Sequence, residues 1–216
     1  MSLIYELPLL QRLALSYAPA VAREPTLALF ALDTRLAAIL RAAREPMLAQ
    51  LRLAWWREQM RTDPASWPTG EPLLATLRCW GERRDALVGL VDGWEAMTAP
   101  APLPAAAFES LAAARGQAFA ALAGLLGSER DAEAARRMGA DWALADLAGH
   151  LGQPEEKALA EDLARARDWR RAGLSRRLRP LVVLHGLAAR AVRRGAGPEQ
   201  SPAVLLTALR LGLLGR

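Results

Sequence analysis

The 216-residue chain carries 28 basic and 23 acidic side chains, a formal charge of +5, with 52% hydrophobic residues and a single cysteine. That length suits one domain over residues 1–216 with a real core, and the lone Cys79 excludes an intrachain disulfide and fits a reducing compartment. No uninterrupted apolar run of roughly 20 residues and no basic-then-apolar leader is visible, and no nucleic-acid-binding signature accompanies the charge. The expectation is a cytoplasmic protein, with peripheral contact to the inner membrane as an addition and nucleic acid not among its partners.

Alanine and leucine dominate while strand formers are scarce, which predicts an all-α fold of about nine or ten helices. Residues 3–17 read as a short helix with Leu3, Leu7, Leu10 and Leu13 on one side, and Pro19 to Pro25 as a break. A helix then carries Leu29, Leu32, Leu36, Ile39 and Leu40 at three- and four-residue spacing. Arg44-Glu45-Pro46 interrupts it, because proline disfavours helical geometry at the preceding residue and suits the first turn of a new helix. The next helix repeats the pattern with Met47, Leu48, Leu51, Ala54 and Trp55, while Trp56, Arg57 and Glu58 turn onto neighbouring faces. Two such helices are expected to lie antiparallel and bury those stripes against each other.

Thr62 to Pro72 is a turn-rich loop, followed by helices over 71–80 and 83–97 and a stiff connector over 99–104. Leu111, Phe119, Leu122 and Leu126 mark a long helix that Gly127 can cap. Ser128 can cap the next, over 129–151, and Gly152 and Pro154 stop it. Charged or apolar-striped helices over 155–171, 174–194 and 202–214 complete the chain.

Four fragments in order carry a family resemblance. They are Glu45-Pro46 followed by Gln50-Leu-Arg-Leu-Ala-Trp-Trp-Arg57, then Leu90-Val-Asp-Gly-Trp-Glu95, then Phe108 to Gly127, then Gly139 to His150. Together they resemble the squalene/phytoene synthase family over residues 9–151. The resemblance implies an isoprenoid-synthase-like helical bundle and, in the enzymes, condensation of two prenyl diphosphates. Those enzymes use two aspartate-rich motifs on facing helices, each presenting carboxylates on one face to hold Mg²⁺ against diphosphate.

Here both motifs are degenerate. Alignment on Leu29-Phe30-Ala31-Leu32 puts Ala37, Ala38 and Arg41 at the first three carboxylate positions. A shifted alignment recovers Asp33, which meets Ala37 four residues on. In the second, Asp141, Ala143, Ala145, Asp146, Gly149 and His150 replace the family's Ala, Gln, Thr, Asn, Arg and Asp. The chain is also similar to the phytoene-synthase-like assembly factors of respiratory complex I, which lack the aspartates. The resemblance therefore implies a non-catalytic protein that binds a protein partner, an isoprenoid or another lipid, with no metal and no cofactor. The alternative is an active prenyltransferase using Mg²⁺ at Asp33, Asp141, Asp146 and His150, which requires two of those carboxylates to converge across a cavity. A further alternative is an unrelated helical interaction module.

Other residues invite weighing. Trp55 and Trp56, with Arg52 and Arg57, are candidates for a prenyl pocket or partner surface, the usual outcome for such a doublet being one core and one interface ring. Asp92 and Glu95 read as structural. His185, among Val183, Leu184 and Leu187, reads as a satisfied core histidine. From Arg165 onward twelve arginines face only Asp168 and Glu199, a balance of +10 that leaves −5 for the rest. With Leu205, Leu206, Leu209 and Leu213 as a second stripe, residues 165–216 fit either an anionic membrane surface or two core-facing helices with solvated outer faces.

Overall fold

The computed structural model describes residues 3–43, 45–195 and 202–215, side chains of 202–205 excepted; Arg44, Glu199, Arg216 and the side chain of Leu205 lie outside the described residues. Among the described residues the protein is all-α. Its helices are α1 (Leu9–Ser16), α2 (Ala20–Ala42), α3 (Pro46–Arg61), α4 (Pro72–Leu77), α5 (Asp85–Ala96), α6 (Ala105–Leu125), α7 (Ala132–Ala148), α8 (Pro154–Arg165), α9 (Arg179–Arg194) and α10 (Pro202–Leu214). Short 3-10 turns precede α1, α4, α5, α7 and α9. One apolar core runs through the bundle from Leu3 to Leu211.

Local chemistry explains several boundaries. Gly127 adopts φ 64° after α6. The Ser128 N–H then bonds the Ala123 carbonyl at 2.8 Å and the Gly127 N–H the Gly124 carbonyl at 3.0 Å, the paired arrangement that satisfies terminal carbonyls. Ser128 does not cap α7. Its hydroxyl meets that of Ser175 at 3.0 Å, and Asp131 accepts from the Ser175 N–H at 2.9 Å, tying the chain before α9 to the start of α7. Pro8 splits residues 3–17 into a 3-10 turn and α1. The expected break at Pro19 to Pro25 is absent: α2 starts at Ala20 and carries Pro25 inside it. Val21, whose carbonyl loses its partner to the missing proline N–H, lies on an exposed turn where water can serve it.

The largest correction concerns α3. Its buried residues are Ala49, Leu53, Trp56 and Met60, while Met47, Leu48, Leu51 and Trp55 are exposed. The helix also packs chiefly on α5 rather than on α2. Two stripes of helical period coexist in this sequence, and the one containing Leu53, Trp56 and Met60 faces the core. Arg57 fixes that orientation by donating from Nε to Asp92 of α5 at 2.6 Å and from Nη2 to Glu95.

The most intimate packing joins α6 to α7. A Cβ at Gly139 would sit 2.6 Å from Phe119 Cδ2 and 3.2 Å from Gly116 Cα, and one at Gly116 would collide with the Arg136 carbonyl. The two glycines let the backbones cross closely, which brings residue 115 of α6 level with the inward face of α7.

Candidate functional site

Four helices converge on Arg115. Its Nε and Nη2 donate to Asp33 Oδ1 and Oδ2 of α2 at 2.9 and 2.8 Å, a two-pronged carboxylate pairing. Its Nη1 donates to Asp146 Oδ2 of α7 at 3.0 Å. The guanidinium lies between the rings of Trp94 from α5 and Trp142 from α7, 5.0 and 4.9 Å from their centroids. Trp94 Nε1 adds a third donor to Asp33, at 2.8 Å from Oδ1. Asp33 and Arg115 are both buried, and Asp146 is partly open.

The electrostatics are one-sided. Burial opposes the positive charge of Arg115, but the two carboxylates outweigh it and hold the arginine pKa above its ordinary value. The cluster is thus a permanent cation clamped between two acids.

The residual space beside it is slight. A cavity of about 10 Å³, walled by Leu29, Phe30, Leu90, Phe119 and Trp142, is room for one water at most. Phe119 fills the centre, edge-on to Phe30 at 6.3 Å and to Trp142 at 5.8 Å. Ligand pockets usually measure about 300–1,000 Å³, so no prenyl chain fits here without repacking. A larger cleft of about 180 Å³ lies between α7, α8 and α9, floored by Ala145, Ala148 and Ala164 and rimmed by Lys157 and Arg165.

The sequence candidates separate into distinct places. Asp33 and Asp146 come together, through Arg115. Asp141 does not join them: its Oδ2 lies 3.7 Å from His185 Nε2 and 3.6 Å from Arg137 Nη1, on the α9 side of α7. His185 is buried beneath the Trp169 ring, 5.1 Å away, and neither of its nitrogens has a hydrogen-bond partner among the described residues. The expectation of a satisfied core histidine therefore holds for burial and fails for satisfaction. His150 is exposed and its Nδ1 meets the backbone carbonyl of Asp146 at 2.7 Å, with the carboxylate farther off at 3.8 Å. Gly149 is exposed beside it.

Ala37, Ala38 and Arg41 lie toward the C-terminal end of α2, beyond Asp33, and Arg41 is exposed. It is Asp33, from the shifted alignment, that reaches the group shared with α7. Trp56 is buried, with the Arg35 guanidinium 6.0 Å from its ring, and Trp55 is 40% exposed and stacked edge-on against it. Arg52 is exposed and forms no ion pair among the described residues.

Sequence reasoning missed Arg115. The signal was present, since Arg115 stands in the apolar series Leu111, Phe119, Leu122, four residues from each of the first two. A charge on an otherwise apolar helix face points to a buried partner.

A Mg²⁺ ion does not fit this donor set. Both oxygens of Asp33 and one of Asp146 already accept from a guanidinium, whose charge would repel a dication at the same place. Among the described residues no three His, Cys, Asp or Glu side chains gather as a metal site. Compared with protein-family models, curated proteins and solved structures, the chain matches none.

Proposed function

We propose that this chain is a non-catalytic helical scaffold built on the plan of the squalene/phytoene synthases, acting by binding a partner rather than by turning over a prenyl diphosphate. One observation carries the reading: Arg115 joins Asp33 of α2 to Asp146 of α7, the two inward acids that a Mg²⁺-dependent reaction in this bundle would need free. An arginine in that place supplies the charge that keeps two inward carboxylates in the bundle. It cannot change coordination or accept a leaving diphosphate into a core closed by Phe119 and Trp142. The scaffold thus has an electrostatic joint between helices and a packed core in place of a reaction chamber.

Titration calorimetry with a non-hydrolysable farnesyl diphosphate analogue, with and without Mg²⁺, tests this. The expected result is no Mg²⁺-dependent heat. Micromolar binding that vanishes on chelation would overturn the proposal and require the bundle to open around Asp33 and Asp146. Metal-independent binding would leave the non-catalytic reading standing and direct attention to the cleft beside Lys157.

A further inference from the structure

The apolar stripes of the last two helices have different fates. That of α9 is core: Leu181, Val182, Leu184 and Leu187 are buried. Among the described side chains of α10, Ala208 and Leu211 are the buried ones, and the helix packs against α9 and α1. Leu206, Leu209, Leu213 and Leu214 are 68, 46, 68 and 62% exposed, and they share the outward face with exposed Arg210. Leaving four leucines of one helix face in water is a poor arrangement unless something covers that face.

The charge around this ridge is of one sign. A Cβ at Gly186 would strike Leu211, and one at Gly215 would strike Arg179, so α10 runs antiparallel to α9. The C-terminal turn of α9, with Arg190, Arg193 and Arg194, therefore comes level with the start of α10. None of these three, nor Arg210, forms an ion pair among the described residues, and Arg193, Arg194 and Arg210 are exposed. At the other end, burial and, after it, the neighbouring Arg176 hold the Arg179 pKa below its ordinary value.

We infer that α10 is a membrane-docking ridge, which lies in the plane of an anionic lipid surface with its leucines in the acyl region and the α9 and α10 arginines at the phosphates. Thirteen residues rise about 20 Å, too short to cross a bilayer, and no helix among the described residues is long and apolar enough to do so. An in-plane helix needs an apolar ridge flanked by cations and no shaped pocket, which is what α10 presents. A second copy of the chain is disfavoured because a two-fold contact would set this arginine-rich face against itself. An acidic protein would match the charge, but the ridge lacks the aromatic anchors and concave seat of a protein interface. This inference does not rest on the non-catalytic reading, since an active enzyme could dock the same way.

Flotation of the full-length protein with vesicles tests it, comparing phosphatidylcholine alone with phosphatidylcholine–phosphatidylglycerol mixtures at low and high salt. The expected outcome is binding to the anionic vesicles only, weakened by salt and reduced roughly tenfold or more in Leu209→Asp/Leu213→Asp. Both positions are exposed, so the variant should keep the wild-type circular dichroism. The control Met47→Asp/Leu51→Asp, on the exposed face of α3, should bind as wild type. Absence of anionic binding, its persistence in the α10 variant, or its equal loss in the α3 control would each overturn the inference. So would light scattering that shows a wild-type dimer split by the α10 substitutions.

Discussion

Arg115, on α6, is held by five interactions from three other helices, and its removal strands the carboxylate of Asp33 in a site 4% exposed. Breaking a buried pair from one side costs about 3–5 kcal/mol, whereas replacing both partners by apolar groups costs far less. Arg115→Met should therefore lower the unfolding free energy by about 3–5 kcal/mol, and adding Asp33→Leu should restore part of it. Urea denaturation of the two single variants and the double variant measures the coupling; additive losses would mean that the pair is not an energetic unit. Cys79 offers a second residue-scale test. Burial, with a smaller effect from Glu24, pushes its thiol up from 9.0 to about 11. Because the folded state holds the proton more tightly than the unfolded one, this contribution to stability is intact below pH 9 and is lost as pH rises toward 11. Native Cys79 should react far more slowly with iodoacetamide at pH 8.5 than in urea, the pH lying about where a free thiol titrates. Cys79→Ala should remove part of the alkaline loss of stability.

At the scale of elements, α3 and the α6–α7 crossing make opposite demands on their sequences. The outward stripe of α3 makes few contacts, so Met47→Ser and Leu51→Ser should each change stability by less than about 0.5 kcal/mol. Leu53→Ala and Trp56→Ala, on the inward face, should cost about 2–5 kcal/mol by leaving cavities. Thermal melts of the four variants decide between the observed helix orientation and the one in which Met47, Leu51 and Trp55 face inward. The α6–α7 crossing tolerates no side chain. Gly116→Val sets methyl groups against the Arg136 backbone, which cannot move without parting the helices. A loss of about 1–3 kcal/mol or more is expected, with disturbance of the Trp142 fluorescence environment, because the same crossing sets the distance from Arg115 to Asp146.

For the whole molecule, one core links α1 to α10, and tryptophans are spread from Trp55 in α3 to Trp169 before α9. Urea unfolding followed by tryptophan fluorescence and by far-ultraviolet circular dichroism should give coincident transitions. An earlier loss of helix signal would reveal a last pair of helices that melts independently. Charge is divided unevenly over this single core, −5 before Arg165 and +10 from it onward. If that division along the sequence is also one in space, it would orient the molecule at an anionic surface, and a flotation signal that falls steeply with ionic strength is the expected sign of it.

The sequence by itself determined the fold class and most helix positions, because alanine and leucine content, helical spacing and proline and glycine punctuation act over a few residues. The Gly127 cap was legible for that reason, as was the span of α10. It did not determine which face of α3 is buried, since two apolar stripes of the same period lie side by side there and only contact with α5 and the Arg57 ion pairs selects one. Nor did it determine the partner of Asp33. A carboxylate 82 positions from its arginine carries no local mark of the pairing, and Asp141 and Asp146, five residues apart, look alike until the helix is oriented. The turn between them sends Asp141 toward His185 and Asp146 toward Arg115. The glycine crossing of α6 and α7 makes that choice, because burial of a charge depends on which groups the tertiary fold brings within hydrogen-bond reach.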